Sequence, residues 1–261
     1  MKKFIKVLVI ASAVLAVLGN LFYWGARLYR HIKEDELCKN VGNLETYFDE
    51  PVKWVSILAE SADVRIEKGD RTGCSITDTY LPASDIRIEN GRMYVTAKNA
   101  DTAVVSGWRV GNSIKGGTKV TVYLSEKDYD NFDLEVGAGN IDIGDITAAN
   151  MVMQVGAGSI AASGIKVTAN AAVQIGVGSI DVKRLDTKKI RIETGSGNVN
   201  LGLAESCMDY DINVEAAAGK STINGDASLL VNGHSARSRD SANRTLEVDC
   251  GLGFVTLNDA E

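Results

Sequence analysis

One short motif, Gly-x-[Gly/Ser]-x-[Ile/Val], returns six times in the second half of the chain and sets what that half can fold into. It reads Gly137-Ala138-Gly139-Asn140-Ile141, Gly156-Ala157-Gly158-Ser159-Ile160, Gly176-Val177-Gly178-Ser179-Ile180, Gly195-Ser196-Gly197-Asn198-Val199, Gly219-Lys220-Ser221-Thr222-Ile223 and Gly251-Leu252-Gly253-Phe254-Val255. The steps are 19, 20 and 19 residues, then 24 and 32. A period of roughly 20 residues is that of a solenoid, in which no repeat buries its apolar face alone and each rests on a neighbour. Before each glycine pair stands an alternating triplet such as Leu134-Glu135-Val136 or Val173-Gln174-Ile175, and after it a second such as Ile141-Asp142-Ile143 or Val199-Asn200-Leu201. Side chains alternate across a strand, so the apolar members face inward and the polar ones outward. The glycines fall where the chain bends, where the backbone needs positive φ or passes close to the next turn. The expectation is an all-β, single-stranded parallel β-helix with turns of about 20 residues stacked ~4.8 Å apart.

Upstream, strand-like alternation begins at Trp54 and continues through Val64-Arg65-Ile66, Ile86, Ile88, Tyr94 and Val120-Thr121-Val122. Asn90-Gly91 predicts a hairpin between Ile86–Glu89 and Arg92–Ala97. At the start, Val7 to Ala26 carries no charge and ends near Phe22, Tyr23, Trp24 and Tyr29. That length matches the ~20 residues that cross a bilayer, and the aromatics match an interfacial belt. The domain expectation is a transmembrane anchor at 1–26, a polar connector at 27–51, and a solenoid at 52–258 with its regular repeats at 132–258. Lys2, Lys3 and Lys6 balance Arg27, Arg30 and Lys33, so charge leaves the orientation open. A short tail before a single span places the C-terminal body outside the cell membrane.

Six of the 28 basic residues and none of the 34 acidic ones lie in 1–33, which leaves a net charge of −12 on the rest. An acidic body argues against nucleic acid and anionic wall polymers and suits cationic partners. Cys38, Cys74, Cys207 and Cys250 show no CxxC spacing, so no metal site is expected. Outside the membrane, Cys38–Cys74 and Cys207–Cys250 are candidate disulfides, with four inert small hydrophobes as the alternative.

The sequence Val120-Thr121-Val122-Tyr123-Leu124 followed by tandem V-x-x-G-x-G-x-I-x-I/V units resembles the bacterial "putative adhesin" or toastrack β-strand-repeat family over residues 52–258. Ser125 departs from it, since the family commonly has proline there. The resemblance implies an envelope protein, of a kind some members of which accompany Lia-type cell-envelope stress systems. It carries over no catalytic residues and no cofactor.

The remaining motifs have plain explanations. Gly137-x-Gly139 lacks the full dinucleotide pattern and recurs as a corner would. Asp142 and Asp181 follow a Gly-x-Gly unit, but the period is twice that of calcium-binding β-rolls, and Ala161 and Asn200 replace the acid in sister repeats. A glycoside-cleaving pair of carboxylates needs a cleft that nothing in the sequence marks. Residues 226–245 lengthen the last repeat and read as an insertion loop carrying His234, Arg237, Arg239 and Arg244, basic on an acidic body. Tyr47, Phe48 and Trp54 are expected to pack over the first strand edge. The expected function is an anchored binding module, in envelope stress sensing or adhesion, that meets a signalling or other envelope protein or a cationic peptide. A self-assembling structural protein or a carbohydrate-active enzyme are the alternatives.

Overall fold

The structure is a computed structural model and describes residues 40–99, 103–105, 108–110, 117–237 and 242–260. The expected anchor at 1–26 and Cys38 lie outside the described residues. Among the described residues no helix is long and apolar enough to cross a membrane.

In chain order the strands are β1 Val41–Phe48, β2 Trp54–Lys68, β3 Thr72–Tyr80, β4 Asp85–Glu89, β5 Arg92–Ala97, β6 Ala103–Val105, β7 Trp108–Val110 and β8 Thr118–Leu124. Then come β9 Tyr129–Leu203, β10 Tyr210–Ile223, β11 Asp226–Arg237 and β12 Arg244–Asp259. Two 3₁₀ turns, Leu81–Ala83 and Cys207–Asp209, are the only helical pieces described. β6 and β7 pair antiparallel as a separate two-stranded ribbon.

β9 is 75 residues long because it coils through successive rungs with the period seen in the sequence. Gly156 lies against Gly137, Gly176 against Gly156 and Gly195 against Gly176. Inward positions form continuous columns. Ile57, Leu134, Met153, Val173, Ile192, Val248 and Val214 are all buried, and so are Val64, Ile141, Ile160, Ile180, Val199 and Val255. Burying one aliphatic side chain stabilises by about 1.5–3 kcal/mol, so the columns supply most of the cohesion. The alternation read from the sequence is therefore met throughout β9, β10 and β12.

Rung order departs from chain order at both ends. β12 pairs parallel with the last rung of β9 on one side and with β10 on the other, so the final strand fills a gap between earlier ones. β2 likewise lies between the first rung of β9 and the pair β5 and β8. Each end then finishes on antiparallel strands: β3 on β8 and β4 on β5 at one, β11 on β10 at the other. The uniformly parallel, sequential helix expected from the repeats is thus corrected at its ends. Two Asn-Gly turns make this possible. Asn90 and Gly91 have φ of 53° and 73°, Asn224 and Gly225 46° and 85°, the left-handed pair a two-residue hairpin needs.

Part of the expected connector is a strand, since β1 pairs with β3. Tyr47 stacks on Tyr123 at 5.9 Å, and Phe48 packs against the core. Trp54 is not at the edge. It sits inside the stack, with Arg92 3.6 Å above its ring and its Nε1 donating to Asp133 at 2.9 Å.

Candidate binding surface

Gly178 has φ +149° and Gly197 +152°, and any Cβ there would meet the carbonyl of the glycine one rung away. The second-glycine column (Gly139, Gly158, Gly178, Gly197, Gly253) is closed to side chains on both counts. Gly219 belongs to this column, because it pairs with Gly253. The repeat reading had placed it in the first column with Ser221 as its mate. A shift of two residues preserves the period-two alternation, so the sequence pattern could not detect it. Ala217 takes the first-glycine position, and Ser221 pairs with Val255, a buried apolar site.

Bare glycines leave a trough beside the next outward column. A groove of 680 Å³ follows it, lined by Glu135, Gln154, Gln174, Glu193 and Asp249 and by Gly137, Gly156, Gly176, Gly195 and Gly251. The polar column continues by register from Glu193 to Asp249 to Glu215. Like charges directly opposite on neighbouring strands destabilise a sheet, and here three carboxylates stand in adjacent rungs. Glu193 is relieved by Arg191 Nε at 2.7 Å and by Gln174 Nε2 at 3.2 Å. Glu215 accepts from Asn213 Nδ2 at 3.2 Å. Asp249 has no salt bridge among the described residues. Sequence reading missed this column, although a signal was present. The residue two before each first-column position is Glu, Gln, Gln, Glu, Glu and Asp in chain order, never apolar and never basic.

The predicted basic loop is not assembled. Residues 226–237 are strand β11, in which His234 pairs with Glu215 and Arg237 with Ile212. Arg239 lies outside the described residues. Arg244 is structural: its Nη1 donates to Asp186 at 2.9 Å, to the Thr187 carbonyl at 2.8 Å and to the Tyr210 hydroxyl at 3.4 Å. Burial works to raise the Asp186 carboxyl, but hydrogen bonds from Arg244 and Lys166 outweigh it and hold the group below the usual range. Asp142 and Asp181 line neither this groove nor a second one, and Asp142 is paired with Arg65 at 3.3 Å. The second groove, 460 Å³, balances Lys68, Lys127, Lys166 and Arg184 against Glu67, Glu126, Asp145 and Asp186.

Of the candidate disulfide residues, Cys74 and Cys250 are buried thiols in the structure, and Cys38 lies outside the described residues. Cys207 Sγ is 3.4 Å from Asn224 Oδ1, and Cys250 Sγ is 3.9 Å from the Gly197 carbonyl. Burial pushes the Cys74 thiol up to about 12. Among the described residues no group of three His, Cys, Asp or Glu side chains is arranged to hold a metal ion.

The glycine-cornered stack thus carries a long polar groove along one face. Its sequence matches the profile of the Toastrack DUF4097 family over residues 52–239, and the chain belongs to that family. Solved structures with a similar fold include a "putative adhesin" from Bacteroides fragilis, 14% identical, covering 82% of this chain and 96% of that one at a TM-score of 0.42. A "putative cell adhesion protein" from Clostridium sporogenes is 12% identical over 83% and 98% of the two chains, TM-score 0.39. A "putative lipid binding protein" from Parabacteroides distasonis is 10% identical over 84% and 95%, TM-score 0.28. No curated protein matches the chain.

Proposed function

We propose that the chain is a membrane-anchored, extracytoplasmic binding module that uses the groove beside the first-glycine column to hold a cationic partner, in adhesion or envelope stress sensing. The observation that carries this is the acid and amide column of Glu135, Gln154, Gln174, Glu193 and Asp249 along one open groove. Stacked carboxylates cost stability where they stand, and a cationic ligand would recover that cost on binding. The charge of −12 on the body adds long-range attraction for the same class of partner. The charge-free stretch Val7–Ala26 supports anchoring by its length. No bond-making chemistry belongs to this reading: Asp142, which is paired with Arg65, and Asp181 both stand outside the two grooves.

The test is titration of the full chain with an extended Lys/Arg-rich peptide at several ionic strengths. Binding should weaken as salt rises, and the Glu193→Gln/Asp249→Asn double variant should lose affinity while gaining stability. Binding that is indifferent to both charges, or hydrolysis of an envelope glycan by the chain, would overturn the reading.

A further inference from the structure

The second groove, of 460 Å³, lies where β2 leaves the stack. The register of β2 on β9 ends at Ile66 and Ile143, and residues 125–128 then cross from β8 to the start of β9. Part of the charge lining this groove is satisfied. Lys166 and Asp186 close at 3.4 Å, with Arg244 on the same carboxylate, and Glu126 faces Lys53 at 3.8 Å. The rest is not. Among the described residues, the side chains of Lys68, Lys127, Arg184, Glu67 and Asp145 form no ion pair and no hydrogen bond.

Arg184 is the exception among the arginines whose side chains are described. Arg65, Arg71, Arg87, Arg191 and Arg244 each hold a carboxylate, and Arg92 covers Trp54. A carboxylate stands in the column of Arg184 without reaching it. Asp145, Gly164 and Arg184 are 19 and 20 residues apart, the steps that also relate Gly137, Gly156 and Gly176. Asp145 leans over the bare glycine, its Oδ1 2.5 Å from where a Cβ of Gly164 would stand. Two rungs span about 10 Å, and the pair stays open across Gly164. Tyr129 lines the same groove and is 3% exposed. Its hydroxyl accepts from the Glu126 amide at 3.2 Å and gives its own proton to no acceptor among the described residues. A buried donor left unspent is costly, and an acceptor brought by a ligand removes that cost.

We infer that this groove binds a small aminoalkyl phosphate group, its ammonium toward Asp145 and Glu67 and its phosphate toward Arg184, Lys68, Lys127 and the Tyr129 hydroxyl. A plain anion would meet two unpaired carboxylates and a plain cation three unpaired bases, so the occupant carries both signs. Three free bases against two free acids leave one positive charge over. A phosphate monoester bearing one ammonium answers it with a net charge of about −1. The phosphate donors come from β2, the β8–β9 connection, the start of β9 and its third rung, so they arrive from several directions. That suits a tetrahedral oxyanion, and the Arg184 fork matches two of its oxygens. A small group can reach the buried Tyr129 hydroxyl, whereas the flat surface of a folded partner cannot. The site shares no residue with the first groove, and either could fail without the other.

The experiment is calorimetric titration of the full chain in mild detergent with O-phosphoethanolamine, and with its two halves, ethanolamine and ethyl phosphate. The whole compound should bind at least about ten-fold more tightly than either half, the worth of one charge-assisted contact. Arg184→Gln should reduce it to the level of ethanolamine and Asp145→Asn to that of ethyl phosphate. Both side chains are exposed, so neither change should move the unfolding midpoint. Tyr129→Phe keeps the ring and should weaken binding several-fold. A short-chain, micelle-free phosphatidylethanolamine separates two sources of the same group: tighter binding than O-phosphoethanolamine assigns a lipid headgroup, weaker binding a free metabolite. Ethyl phosphate binding as well as the whole compound would leave an anion site only and overturn the inference. So would the absence of binding by both the free and the lipid-linked group, or affinity unchanged in Arg184→Gln and Asp145→Asn.

Discussion

Gly178→Ala is the sharpest perturbation the stack allows. A Cβ at Gly178 would stand 2.7 Å from the Gly158 carbonyl carbon, closer still to its oxygen, and 3.1 Å from Ile175 Cδ1, at a φ of +149°. The main obstacle is backbone, so no rotamer change removes it. Restoring a contact of about 3.5 Å requires the two rungs to part by about 1 Å or more. Hydrogen bonds lengthened that far are lost. Two or three ladder bonds at about 1 kcal/mol each, with about 1–3 kcal/mol for the backbone conformation, give about 3–6 kcal/mol. That rivals the about 5–15 kcal/mol by which a folded domain is stable. Two controls grade the effect. Gly195→Ala meets the Gly176 carbonyl oxygen at 2.6 Å without a positive φ, and Gly225→Ala meets nothing within 4 Å at φ +85°. The first should cost less than Gly178→Ala, and the second only about 1–2 kcal/mol, the conformational term. Urea unfolding of the full chain followed by tryptophan fluorescence reads all three. If Gly178→Ala unfolds no more easily than Gly225→Ala, close rung approach is not what holds these glycines, and the argument fails.

Thr194 is buried with an unpartnered Oγ1, in an inward column that also holds Val136, Val155, Ile175, Cys250 and Ala216. Thr194→Val should therefore stabilise by about 1 kcal/mol in the same assay. Arg244→Ala breaks its bonds to Asp186, Thr187 and Tyr210 and should cost about 2 kcal/mol, since the pair is mostly buried. The Asp259 carboxylate accepts from the Cys207 amide at 2.6 Å and from Asn224 Nδ2 at 3.2 Å, which holds its pKa below the ordinary value. A depressed carboxyl stabilises fully above its unfolded pKa of about 4 and loses that contribution as pH falls through the folded value. Amides around Cys207 and Asn224 should accordingly lose protection, measured against their intrinsic exchange rates, as pH falls, and Asp259→Asn should flatten that dependence. The Cys74 thiol, pushed up to about 12 and buried, should resist maleimide at neutral pH in the folded chain and react once urea unfolds it.

The repeat made the middle of the molecule legible because each rung of β9 carries its own periodic signal. Leu134, Met153, Val173 and Ile192 could be placed inward from alternation alone. The ends were less legible, and the reason is physical. Period-two alternation fixes which face a residue occupies but not which strand lies beside it. Nothing local distinguishes β12 stacked beyond β10 from β12 inserted before it, and Gly219 could slide by two residues with no change of face. The groove failed to register for another reason. Glu135 and Glu193 look like ordinary solvated positions until the strands are stacked, and only then do they form a column with Asp249. Arg244 shows the converse, since a basic residue in an apparent loop turned out to be satisfied by partners on β9 and β10.

The late insertion of β12 has a consequence for how the chain is made. Domains assemble as the polypeptide leaves the ribosome, N-terminal parts first. The last rung of β9 and the inner side of β10 are synthesised before the strand that joins them, and each must wait with an open edge. Most repeat proteins can gain or lose terminal units, because each unit contacts only its neighbours in sequence. Here the final sixteen residues of strand close two edges at once. Without β12 the last rung of β9 and the inner side of β10 would both be left unpaired, so this one strand ties β10 and β11 to the rest of the stack.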